Sequence, residues 1–278
     1  MISRWFLRVR RLRENNTVYP EKGFSMRTLA SLLFIAVSLT ACGKKGPLIY
    51  PDMLVPAAPS SVAAQQTGNA MKLSFVLPSK DLAGRNFSGL ASVKILKHDE
   101  PAGQAPGCSS CTADFALFRK LNLELLPSDT QRSGSLVALL DSDVQVGRSY
   151  SYRVSGFTRE NQEGAVSTTA PAVMRLTPLP PVLQVICQPT EIDLEFVGLP
   201  PEEGVIAGYN IYRTVKGALF PLVPLNRKPL VENRYVDQGL DRSTSYVYGI
   251  RTVVRLSDGS RMESNLSNEA EGRLKDDE

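Results

Sequence analysis

The sequence predicts an all-β fold, with two tandem antiparallel β-sandwiches behind an N-terminal targeting segment and a proline-rich tether. Three observations predict it. Apolar and polar residues alternate over short runs, as at Met71, Leu73, Phe75 and Leu77, which is the period of a half-buried strand. Between residues 60 and 274 no segment carries a long apolar 3.6-residue repeat between helix caps. The window DSDVQVGRSYSYRV, Asp141 to Val154, also aligns without gaps to DQGLDRSTSYVYGI, Asp237 to Ile250, so one structural unit is expected twice.

The N-terminus differs from the rest in charge and pattern. Residues 1–41 hold seven Lys/Arg and two Glu, which leaves 25 basic against 26 acidic residues in the remainder. The overall net charge of +4 thus belongs to the leader, and a near-neutral body gives no support for nucleic-acid binding. Met26 and Arg27 open onto TLASLLFIAVSLTA, an apolar run of about 14 residues, short of the roughly 20 that span a bilayer. Residues 1–41 read as a signal peptide, with Met26 an alternative start and a buried or interfacial helix the competing reading.

Leu39-Thr40-Ala41-Cys42 closes that run and resembles the lipobox of bacterial lipoproteins. The resemblance implies diacylglyceryl transfer to Cys42, cleavage before it and acylation of the new amino group. Covalent lipid on Cys42 is the only attached group expected. Several acyl chains hold a protein stably where one does not. Gly43 stands where an inner-membrane retention aspartate would be, so the expected address is the outer membrane of a diderm bacterium, on its periplasmic face or at the cell surface. Residues 42–58, with prolines at 47, 51 and 56, read as an extended tether.

The first sandwich is expected over 59–176 and the second over 182–274, with TPLPP at 177–181 as a stiff linker and 275–278 as a charged tail. In the second copy Ile192, Leu194 and Phe196 alternate, as do Tyr209 and Ile211, and Tyr246, Tyr248 and Ile250. An aliphatic residue six places before a tyrosine, Val144 to Tyr150 and Leu240 to Tyr246, resembles the tyrosine corner of fibronectin type III domains, an immunoglobulin-like sandwich family. VKILK at 93–97 and GYNIYRT at 208–214 are similar to its strand C. The resemblance implies that each phenol caps a backbone group. The sequence departs from the family in strand B, where Phe75 and Phe196 stand in place of tryptophan; Trp5, the only Trp, lies in the leader.

The first copy carries about twenty more residues than the second between strands C and F, and this insertion holds Cys108 and Cys111 as CSSC. Thr112 stands where haem attachment requires histidine. The expectation is a short structural disulfide in an oxidising compartment, with a zinc site using His98 or a thioredoxin-like pair as alternatives. Cys187 reads as a small buried hydrophobe on strand A. His98, the only histidine, sits beside Asp99 at an expected strand end without a nucleophile motif. Glu202 and Glu203 read as solvated turn charge. No catalytic or metal site is expected.

The function expected from these readings is a non-catalytic, outer-membrane-anchored binding or scaffold module for a protein or glycan of the envelope. The alternative is a periplasmic thiol–disulfide partner using CSSC. The stretch CGKKGPLIYP resembles the start of LptM-like small lipoproteins, through Cys42, Gly43, Lys45, Gly46, Pro47 and Leu48. That resemblance implies docking through Lys44, Lys45, Gly46, Pro47 and Leu48 at an envelope assembly machine. Lys44 and Lys45 lying against anionic headgroups is the simpler account.

Overall fold

A computed structural model describes residues 48, 50–103 and 114–276. The chain divides into compact units of residues 1–48 and 49–278, and every described strand belongs to the second. In chain order these are β1 (Ser60–Thr67), β2 (Ala70–Val76), β3 (Leu90–Pro101), β4 (Ala116–Asn122), β5 (Thr130–Ser133), β6 (Leu136–Asp141), β7 (Arg148–Thr158), β8 (Glu163–Val166) and β9 (Ala170–Val173). After the proline-rich 177–181 come β10 (Val182–Cys187), β11 (Glu191–Val197), β12 (Val205–Val215), β13 (Arg234–Gln238), β14 (Tyr246–Arg255), β15 (Arg261–Glu263) and β16 (Ala270–Gly272).

The alternation puts every second side chain inside. Met71, Leu73 and Phe75 of β2 are fully buried while Lys72, Ser74 and Val76 are not, because successive strand residues point to opposite faces. They meet Val93 and Ile95 of β3, Val137 and Leu139 of β6, and Tyr152 and Val154 of β7 in a first core. A second core gathers Ile192, Leu194 and Phe196 of β11, Ile211 of β12, and Tyr248 and Ile250 of β14. Each fully buried side chain of this size contributes about 1.5–3 kcal/mol.

Among the described residues, three sheets enclose the two cores. One runs β4-β3-β7-β8 with β9 beside β7, and one runs β10-β11-β13. The third is common to both cores: it runs β12-β14-β15-β1-β2-β6-β5, with β16 beside β14. Its β1–β2–β6–β5 half backs the first core and its β12–β14–β15 half backs the second. The halves meet where Thr67 of β1 pairs in parallel with Glu263 of β15.

The folded body begins earlier than the sequence suggests. Pro51–Met53 form a 3₁₀ turn, and Leu82 N–H donates to Val55 O at 3.1 Å and Ala83 N–H to Met53 O at 3.2 Å. Pro56 O accepts from Ala165 N–H at 3.0 Å, and a Cβ at Gly164 would collide with that same carbonyl. Residues from 53 onward are therefore seated on the body. The reason is hydrogen bonding: the backbone groups of this stretch find partners on two neighbouring segments, which a solvated polyproline tether lacks. His98 differs as well. It lies inside β3, which continues to Pro101, because the β3–β7 ladder runs on through Asp99, Glu100 and Pro101.

Candidate functional site

Several of the sequence-predicted positions lie outside the described residues: Leu39, Thr40, Ala41 and Cys42 of the lipobox, Lys44, Lys45, Gly46 and Pro47 of the docking stretch, and Cys108 and Cys111. Leu48 is described and three-quarters exposed. Cys187 is a free thiol at the end of β10 and only half-buried, rather than the buried hydrophobe expected, because the end of the strand leaves it at the rim of the core. The His98 ring lies 5.6 Å from that of Phe115. Its Nδ1 is 2.8 Å from Asp114 O; a carbonyl only accepts, so Nδ1 carries the proton. The opposite nitrogen, Nε2, is 3.6 Å from the Glu100 carboxylate. Among the described residues no group of His, Cys, Asp and Glu could hold a metal ion, and no helix is long and apolar enough to cross a membrane.

The repeated windows build the same polar unit twice. Asp141 and Asp237 are both buried. Tyr152 Oη donates to Asp141 at 2.7 Å, and Tyr248 Oη donates to Asp237 at 2.8 Å. A cation completes each: Lys97 Nζ lies 2.6 Å from Asp141, and Arg213 Nη1 lies 2.7 Å from Asp237. Burial first, then the hydrogen bond and charge of the aspartate, push both phenols well above the ordinary value of 10.0. In the same windows Tyr150 Oη accepts from Gln145 N–H at 2.8 Å and Tyr246 Oη accepts from Asp241 N–H at 3.1 Å.

Where the shared sheet crosses from one core to the other, the Glu263 carboxylate is fully buried. From the first core's side, Thr67 Oγ1 donates to it at 2.9 Å and Lys72 Nζ at 3.1 Å. From the second, Asn210 Nδ2 donates at 2.5 Å and Tyr212 Oη at 2.9 Å. Burial alone would raise the pKa of Glu263. The Lys72 charge and the hydrogen bonds from Asn210, Thr67 and Lys72 outweigh burial and hold the carboxyl below its ordinary 4.5. Nothing in the sequence marks this residue.

Further contacts link segments of the first and second cores. Gln66 and the Arg175 backbone exchange two hydrogen bonds, at 2.9 and 3.0 Å, and the Arg175 guanidinium reaches Glu203 and Asp258. Leu222 N–H, in the long loop after β12, donates to Gln131 Oε1 of β5 at 2.6 Å. The chemistry of this arrangement is cohesion: carboxylates, amides and cations satisfy one another across the seam. A cleft of about 200 Å³ beside it is lined by Leu176, Leu179, Pro200, Pro201 and the exposed Glu202 and Glu203. A wider depression of about 640 Å³ holds Lys97, Asp99, Phe118, Asp143 and Arg148, where Arg148 pairs with Asp99 and Lys97 with Asp141.

No sequence-family description matches the chain, and no curated protein does. Among solved structures, one described as "Myokine structure" is 16% identical with a TM-score of 0.29, covering 36% of this chain and 100% of its own. The FN1–FN3 domains of chicken CNTN1 are 14% identical with a TM-score of 0.29, covering 80% of this chain and 69% of theirs. By its own sheets and cores, the chain is an all-β, multi-sheet protein broadly consistent with an immunoglobulin- or fibronectin type III-like sandwich.

Proposed function

We propose that the protein is a non-catalytic, lipid-anchored scaffold of a bacterial outer membrane. In this reading two tandem fibronectin type III-like sandwiches, residues 59–176 and 182–274, form an arm that presents its surface to a protein or glycan partner. The observation that carries the reading is the Glu263 junction, where donors from strands that back each core converge on one buried carboxylate within a shared sheet. Inter-domain contacts within a chain ordinarily permit relative motion; a continuous sheet with a buried, satisfied charge favours a rigid spacer. The lipobox at Leu39–Cys42 supplies the membrane end, and the KKGPL run at 44–48 supports an envelope assembly machine as the place of work.

Mass spectrometry of the mature N-terminus tests the anchor, with a triacylated Cys42 expected and an unmodified Cys42 overturning it. Affinity capture through the lipidated protein tests the scaffold role, with one envelope component expected in every preparation. A Cys108–Cys111 couple with a reduction potential well above about −300 mV would instead support thiol–disulfide exchange.

A further inference from the structure

We infer that the corner of the body where the chain enters it, formed by Tyr50, Leu54, Lys80 and Leu82, rests on the lipid surface and fixes the orientation of the arm. This deepens the lipid-anchor reading and rests on it. Tyr50 is 56% exposed, Leu54 39% and Leu82 46%, although each is large and apolar enough to gain from leaving water. They share one corner because the backbone ties their segments together, Leu82 to Val55 and Ala83 to Met53. Lys80 is exposed on the same turn. Leucines beside a tyrosine are the composition of an interfacial contact, with the apolar groups below the headgroups and the phenol among them; the exposed Asp52 of the Pro51–Met53 turn offsets the Lys80 charge.

Chain length selects the bilayer as the occupant. Eight residue steps separate Cys42 from Tyr50, which span at most about 28 Å whatever their path. Because Pro56 is seated on Ala165 and Gly164, no slack beyond Tyr50 can lift the body away. A tether free to residue 58 would reach about twice as far. An acylated Cys42 thus keeps this corner within about 28 Å of its own membrane, close enough for its apolar groups to reach the lipid surface. Leu219 and Val231, exposed in the loop after β12, lie far along the chain from the anchor.

Trp5 is the only tryptophan, so a chain processed at Cys42 has none, and a single introduced indole is a unique reporter. The full-length lipidated protein carrying Y50W, L82W or, for comparison, V231W would be placed in vesicles of phosphatidylethanolamine and phosphatidylglycerol with acyl chains brominated near the glycerol. Contact predicts a fall in emission of about twofold, with a blue shift, for Y50W and L82W, since interfacial groups reach roughly 5–10 Å into the boundary. V231W should keep its emission. Unquenched Y50W and L82W on a Cys42 shown by mass to be acylated overturn the contact and leave the anchor standing. Equal quenching of V231W overturns the orientation. An unmodified Cys42 overturns contact and anchor together. Shielding of Y50W in native envelopes but not in pure lipid assigns the corner to a protein and likewise overturns the inference.

Discussion

At the residue scale, Glu263 carries the charge that the fold has taken furthest from water. Removing one member of a buried ion pair leaves the other uncompensated, and Lys72 is that other member. Glu263→Gln is expected to cost about 3 kcal/mol in urea unfolding. The acid side shows the same group. A carboxyl held below 4.5 in the folded state adds stability that is fully present above the ordinary value and drains as pH falls through the folded one. The slope of stability against pH below about 4.5 should therefore flatten in Glu263→Gln; an unchanged slope would assign acid sensitivity to other carboxylates. Thr252 is the converse case. Its hydroxyl is buried and, among the described side chains, has no hydrogen-bond partner, and nothing in the surrounding geometry accounts for it. Thr252→Val removes the unpaired group at nearly constant volume and should leave stability unchanged or raise it by up to about 1 kcal/mol. A clear loss would reveal a water or partner on that oxygen.

At the element scale, the Asp–Tyr–cation unit explains why β6–β7 and β13–β14 are built alike. Each aspartate sits late in one strand, its tyrosine eleven residues on, and the cation two places after the central isoleucine of the strand alongside, Lys97 after Ile95 and Arg213 after Ile211. Tyr152→Phe and Tyr248→Phe each delete a donor to a buried carboxylate, so each should cost about 1.5–3 kcal/mol, and the two costs should match in sign and scale. A large cost in one copy alone would mean the unit is not repeated in energy. The same phenols have folded pKa values pushed above 10.0. Their contribution is therefore complete below that pH and lost as pH rises beyond it, and their phenolate absorbance should appear only as the chain unfolds. Half of this was legible beforehand. Asp141 and Asp237 stand out as a repeated residue, but their cations come from strands 44 and 24 residues away, and no local pattern announces such a pairing.

At the scale of the whole molecule, the shared sheet makes the two cores depend on each other. Gly68 lies at the seam, in the turn between β1 and β2, with φ +58°, and a Cβ there would press on the Asn265 and Arg251 side chains. Gly68→Val imposes a left-handed conformation on a β-branched residue, about 1–2 kcal/mol, and wedges the junction besides. The expected calorimetric result is one unfolding transition in the native chain and two in Gly68→Val. A single, equally sharp transition in the variant would show that the junction does not couple the cores.

The sequence by itself determined which residues go inside, since strand alternation is a local property of the chain and needs no knowledge of neighbours. It also marked the repeat, the phenylalanines at 75 and 196 and the tyrosines at 150 and 246. It read the stretch before residue 59 as loose because prolines lower local order, whereas the ladder partners that seat residues 53–57 stand at 80–83 and 165. Only the tertiary structure decided that the two cores share a sheet and that Glu263 locks them. Its donors lie 51 to 196 residues away, and a carboxylate on a short strand reads as solvated until the fold brings Lys72 and Asn210 to meet it.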